Sequence, residues 1–184
     1  MLENPVPIII FCHVIIHIIC FADNTLIKIL ENGKEVLKKV SEIKKDDMAL
    51  VFDGKEKKYA KVLDNKATEG ENEFYIIKVK SIKNENKIKE LKVTGEHVMI
   101  TFDEKKEHKL ILAKELKGNE IVDTDDGFYK IYEIGKEIRK NKYMLSVKGG
   151  AVLANGIFVS TICSDKEAKI IKPTLEEWEK YQNN

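Results

Sequence analysis

The chain matches itself at a displacement of about 73 residues, and no other feature narrows its possible folds as much. Glu42-Ile43-Lys44 falls on Glu115-Leu116-Lys117, Asp46 on Asn119, Met48 on Ile121, Asp53-Gly54 on Asp126-Gly127 and Tyr59 on Tyr132. Upstream, Leu26-Ile27 falls on Met99-Ile100. Matches held in register over this distance predict two copies of one strand–turn–strand unit. The runs inside the copies are short and β-branched or alternating: Leu26–Ile29, Tyr75–Val79, Lys92–Ile100, Lys109–Leu112 and Tyr129–Ile134. Turn signals such as Glu31-Asn32-Gly33 and Asp53-Gly54 separate them. Asn65–Glu73 and Ile82–Glu90 are polar and read as loops. Helical periodicity is confined to the tail, where Pro173-Thr174-Leu175-Glu176-Glu177 opens a capped short helix with Trp178 and Tyr181 on one side. The expected fold is all-β with an internal pseudo-twofold repeat, its first and last strands meeting at the centre, plus a short C-terminal helix.

A length of 184 residues suffices for one domain with a real core. Lys+Arg is 32 against 31 Asp+Glu, and Arg139 is the only arginine. A nucleic-acid or phosphate-reading surface would call for a basic surplus and more arginine, so no nucleic-acid partner is expected. The three cysteines, Cys12, Cys20 and Cys163, are too few and unevenly placed for a disulfide framework. Pro5–Ala22 is strongly apolar but lacks a basic leader and a small-residue cleavage site, and it carries His13 and His17; a β-rich arm fits better than a signal peptide or a span. Cys12, His13, His17 and Cys20 are four soft ligands close in sequence, and His13, His17 and Cys20 could share a face on a helix and hold zinc there. The isoleucines and valine among them favour a strand, which points Cys12 and Cys20 away from the histidines. No metal or cofactor is expected.

Four places carry groups suited to chemistry. They are Cys20-Phe21-Ala22-Asp23-Asn24-Thr25, Thr94-Gly95-Glu96-His97, the run from Gly149 to Cys163, and Asp64. A lone cysteine, threonine or histidine in such surroundings is ordinarily a core or strand residue. Their order and spacing, however, resemble the hedgehog/intein (Hint) superfamily. Cys20 followed by Phe21 and Thr25 is similar to the family's opening nucleophile. Thr94 and His97 are similar to its Thr-x-x-His motif, and Asn155-Gly156-Ile157-Phe158-Val159 to its closing strand. The likeness covers about residues 20–163 and implies an all-β horseshoe with internal pseudo-twofold symmetry.

The resemblance also implies a reaction. A thiolate beside a peptide bond can attack the preceding carbonyl and turn the amide into a thioester, with proximity supplying much of the rate. The sulfur would be that of Cys20, the carbonyl that of Ile19 and the leaving group the Cys20 amine, protonated by His97. Thr94 would bind the scissile unit or orient His97. Inteins typically finish with His-Asn before a final nucleophile, whereas Val159 is followed here by Ser160-Thr161, so ordinary splicing is not expected. Ser160-Thr161-Ile162-Cys163 is closer to the end of hedgehog autoprocessing domains, with Thr161 in the place of their cysteine. Asp64 is the candidate for the aspartate those domains use to activate the incoming nucleophile. Ser164–Asn184 is too short and charged for a sterol module, which leaves water, a small thiol, a protein amine, Thr161 or Cys163 as acceptors.

Residues 1–19 are thus expected to be an apolar arm, the remnant of an upstream segment that is the substrate. Residues 20–163 would be the autoprocessing domain and 164–184 a charged tail, the whole acting as a monomer. The alternative is a catalytically silent module of the same fold that binds a partner through its arm. The compartment, cytoplasmic or secretory, is not fixed by these features.

Overall fold

A computed structural model describes residues 20–52, 56–102, 108–149 and 151–161. The arm, the expected tail helix, Cys12, Ile19 and Cys163 therefore fall outside the described residues. The described chain builds one sheet of eleven strands, joined by short turns and two 3₁₀ turns. The first unit contains β1 (Leu26–Glu31), β2 (Lys34–Lys39), a 3₁₀ turn at Val40–Glu42, β3 (Met48–Phe52) and the start of β4 (Lys57–Ser81). After β5 (Ile88–Thr94), the second contains β6 (Val98–Phe102), β7 (His108–Leu112), a 3₁₀ turn at Ala113–Glu115, β8 (Ile121–Thr124) and the start of β9 (Gly127–Val147). The hairpin of β10 (Ala151–Ala154) and β11 (Ile157–Ser160) closes the described chain.

The two units pair identically. β1 borders β2 and β3, which borders β4; β6 borders β7 and β8, which borders β9. A shared side-chain device explains why the sequence repeats most clearly around the 3₁₀ turns. Asp47 Oδ2 accepts the Lys44 amide at 2.9 Å, and at the same place in the second unit Glu120 Oε1 accepts the Lys117 amide at 2.8 Å. Met48 and Ile121 then enter equivalent strands.

The repeat read from sequence needs two corrections. Leu30 opposes Met48 and Phe102 opposes Ile121, so Ile27 is equivalent to Met99 and Leu26 to Val98, a slip of one residue. The Tyr59–Tyr132 match is coincidental. Six residues lie between the paired Val51 and Lys58 but two between Thr124 and Gly127, and the shorter second hairpin makes Phe128 the counterpart of Tyr59.

Two element boundaries also change. Asn65–Glu73, expected as a loop, lies within β4, which pairs with β9 from Val62↔Val147 to Ser81↔Tyr129. Both faces of that stretch are largely solvated, so it has polar composition without loop geometry, and cross-strand partners such as Glu73 and Lys136 (3.1 Å) support it. Lys92–Ile100, expected as one strand, is broken by a turn at Gly95–His97 between β5 and β6. Ile82–Lys87 is a turn as expected, but Ile88–Glu90 already belongs to β5.

The main core fills the interior between the units, with Ile27, Ile29, Met99, Val122, Ile131 and Val152 essentially inaccessible. Each such side chain contributes about 1.5–3 kcal/mol. A second cluster packs Phe158 against Phe52 and Leu153. The equivalent residues Ile27 and Met99 both lie in the main core, so the pseudo-twofold relation passes through its centre.

Candidate functional site

β4 carries β5 on one side and β9 on the other. The three residues Cys20–Ala22 run between the far end of β5 and Tyr143 of β9. Phe21 exchanges both backbone hydrogen bonds with Tyr143 (2.8 and 3.0 Å), Cys20 O accepts the Thr94 amide (3.0 Å), and the Ala22 amide donates to Lys92 O (3.2 Å). All three residues are essentially inaccessible. Apolar side chains at this point make the interior placement favourable, and neighbours on both edges satisfy the backbone that burial would otherwise orphan.

Thr94 ends β5 and faces the same segment. Its Oγ1 accepts the Cys20 amide at 3.1 Å. That nitrogen belongs to the Ile19–Cys20 peptide bond. Thr94 O in turn accepts the His97 amide (3.0 Å), closing the tight turn that brings His97 back over the segment. The His97 ring is wholly buried and meets Phe21 edge-on, with centroids 4.8 Å apart. Burial pushes its imidazole down to about 3, against an opposing pull from the backbones of Ser160 and Cys20. Neither ring nitrogen reaches a partner at full hydrogen-bonding geometry among the described residues.

This turn has a counterpart in the first unit. The Thr25 amide donates to Ala22 O at 3.0 Å, as His97 does to Thr94 O. The Val40 amide then donates to Thr25 O (2.7 Å), as the Ala113 amide does to His97 O (2.8 Å). The Ser41 and Lys114 amides repeat the pattern on Asp23 O (3.5 Å) and Gly95 O (2.9 Å). Each 3₁₀ turn thus cradles one turn of the site. On the second side the approach is close enough to need glycine: a Cβ on Gly95 would come within 2.9 Å of the Tyr75 ring and 3.3 Å of Lys114 Cβ.

The closing hairpin reaches the same place. Asn155 accepts the Leu26 amide on Oδ1 (2.7 Å), donates its own amide to Leu26 O (2.8 Å) and donates Nδ2 to Glu90 O (2.8 Å), so it clasps β1 to β5. β11 then delivers Ser160 and Thr161, both buried, on the His97 side. Asp64 is placed apart. It sits half-exposed at a bulge in the β4–β9 ladder, opposite Ser146, with its carboxylate on the Asn65 amide (2.9 Å) and Lys66 (3.3 Å). The structure therefore gathers Cys20, Thr94, His97 and the end of β11, and leaves Asp64 on the sheet surface. Cys20 is a thiol rather than part of a disulfide.

No family model and no curated protein sequence matches the chain. Solved structures do. The Mvu transcription factor IIB mini-intein superposes with a TM-score of 0.61 at 20% identity, covering 77% of this chain and 99% of its own. A DnaB intein from Synechocystis gives 0.58 at 21% identity, covering 77% and 97%. This is an intein fold. A bacterial intein-like domain from Clostridium thermocellum matches similarly, with a TM-score of 0.59 at 18% identity over 77% and 97%.

Sequence reasoning gave no role to five contributors to this site: Gly95, the two 3₁₀ turns, Asp23 and Arg139. Gly95 and the two 3₁₀ turns act through backbone approach, which no residue type announces. Asp23 and Arg139, joined at 2.7 Å across the edge of the intein fold, lie far apart in sequence. A single arginine in a chain otherwise supplied with lysine was the one available signal.

Proposed function

We propose that the chain is a self-processing domain that cuts its own backbone between Ile19 and Cys20. The hydrogen bond from the Cys20 amide to Thr94 Oγ1, in a site where Cys20 and His97 are both buried, supports this reading most directly. It places a hydroxyl on the nitrogen that has to leave.

The bond changes balance with this chain's own groups. Cys20 Sγ adds to the Ile19 carbonyl, its thiol proton passing to the lone pair of neutral His97. An imidazolium so poorly solvated surrenders its proton readily, and the acceptor is the Cys20 nitrogen. The C–N bond breaks, leaving Ile19 as a thioester on the Cys20 sulfur and the Cys20 amine free. Water or a small thiol then takes the acyl group, and the Cys20 thiol is restored. Thr161, Cys163 or a protein amine would serve as acceptor in the same way, whereas Asp64, on the sheet surface, is given no part in the step. Ser160-Thr161 stands where splicing inteins carry His-Asn, so cleavage is proposed and splicing is not. On this reading residues 1–19 are the substrate side, 20–163 the domain and 164–184 a tail.

The test is a reporter protein fused before Met1, followed by intact mass with and without hydroxylamine. The expected product is a hydroxamate at the Ile19 carbonyl, formed by wild type and absent from Cys20→Ala. A folded wild type that stays intact through long exposure to hydroxylamine would refute the proposal and favour a silent binding module.

A further inference from the structure

The segment that carries Cys20 is described over Cys20–Ala22, where backbone hydrogen bonds tie it to β5 and β9. Around it lies a closed ring of side chains on three elements. The Ala22 amide is held by Lys92 O on β5. The Lys92 ammonium reaches across to Glu137 of β9 at 3.1 Å. Glu137 Oε1 accepts from Arg139 Nη1 at 3.2 Å, and Arg139 Nη2 donates to Asp23 Oδ1 at 2.7 Å. Asp23 is bonded directly to Ala22, which completes the ring. The guanidinium spends its two forks on two different carboxylates, a geometry that a lysine ammonium cannot reproduce. Burial opposes ionisation of Glu137, but the hydrogen bonds from Lys92 and Arg139 outweigh it and hold its carboxyl below the usual range. The ring is partly shielded: the Arg139 and Lys92 side chains are 25% and 19% exposed.

An isolated surface ion pair contributes little to stability. This ring matters for where it is closed, because it fixes the segment against sliding between its two neighbours. A slip of one residue would turn the Cys20 sulfur to the opposite face and take the Cys20 amide off Thr94. We infer that Arg139 is a positioning residue for the reaction at Cys20, holding Asp23 and, through it, the register of Cys20–Ala22 between β5 and β9. The inference rests on the self-cleavage reading for its consequence, and on the geometry alone for the register.

Two measurements test it separately. In the reporter fusion, cleavage under a fixed thiol concentration is followed at 25 °C for wild type, Arg139→Gln and Arg139→Lys. Arg139→Gln is expected to cleave at least about tenfold slower while its Tm stays within about 3 °C of wild type; Arg139→Lys restores part of the rate. Raising salt to about 1 M slows wild type and leaves Arg139→Gln unchanged. A folded Arg139→Gln that cleaves at the wild-type rate would overturn the inference. The second measurement is amide exchange in the uncleavable Cys20→Ala background. Adding Arg139→Gln is expected to remove protection at residue 20, Phe21 and Ala22 while Val51 and Val122 keep theirs. Unchanged protection at the segment would overturn the positioning role. An inert wild type together with selective loss of protection would sustain that role and overturn self-cleavage instead.

Discussion

Replacing Thr94 with valine keeps the shape of the side chain and deletes the hydroxyl that the Cys20 amide meets at 3.1 Å. Cys20 is 1% exposed and Thr94 6%, so water has no easy route to take the hydroxyl's place. A buried donor left unpaired costs about 1–3 kcal/mol. For a chain of this size each kcal/mol shifts Tm by about 2–4 °C, so a cost near 2 kcal/mol lowers Tm by about 4–8 °C. The reaction is expected to suffer as well. In the starting peptide the nitrogen only donates, but as sulfur adds to the carbonyl it gains a lone pair to which the Thr94 hydroxyl can donate. The contact strengthens in the transition state, and only such a differential gain alters the rate. A loss of about 1–2 kcal/mol there slows cleavage about five- to thirtyfold. The assay pairs thermal melts of the Cys20→Ala background with single-turnover cleavage of the reporter fusion, and Thr94→Ser serves as the variant that keeps the hydroxyl. If Thr94→Val matched Thr94→Ser in both Tm and rate, the hydroxyl would have no role at Cys20 and the reasoning would fail.

Gly95→Ala sets a methyl 2.9 Å from the Tyr75 ring and 3.3 Å from Lys114 Cβ, so the Thr94–His97 turn or its cradle must move; the expected cost is about 1–3 kcal/mol, read as a lower urea midpoint together with slower cleavage. His97 gives a pH signature. Unfolded, it takes a proton near 6.5, whereas the buried imidazole resists until about 3, so between those values the unfolded chain binds more protons. The stability its neutral burial contributes is complete above the unfolded value and drains away as pH falls through the window, by about 2–3 kcal/mol at pH 4.5. Urea midpoints from pH 7 to 4.5 are expected to fall more steeply for wild type than for His97→Gln, and parallel curves would show that the ring titrates normally.

Strand alternation and the internal match were enough to read the all-β duplicated architecture, because period-two burial and turn residues are local signals. Cys20, Thr94 and His97 were legible for a different reason: their order along the chain matched a known pattern, and the structure gathers them around one short segment. Asn65–Glu73 was misread because solvent on both faces of a ribbon removes the alternation that identifies a strand, leaving only long-range pairing with β9 to define it. Tyr59 and Tyr132 looked equivalent because nothing in the residues reveals that one hairpin is shorter than the other. The ring through Arg139 was invisible for the most general reason. It joins positions 23, 92, 137 and 139, and such a closure exists only once β5 and β9 have been brought to either side of the segment.

The paired turns have a consequence for how such a site can arise. Ala22 and Thr25 occupy in one half the places that Thr94 and His97 occupy in the other, within the same hydrogen-bonded scaffold. Two identical half-chains associating as a dimer would have to present the same side chains at both turns. Joined in one polypeptide, the halves are free to differ: one turn presents Ala22 and Thr25 behind the strand that, on the proposed reading, carries the bond to be cut, while the other presents the hydroxyl and imidazole of Thr94 and His97. Asymmetry of role is thereby obtained from symmetry of backbone, and a single covalent link between the copies is what permits it.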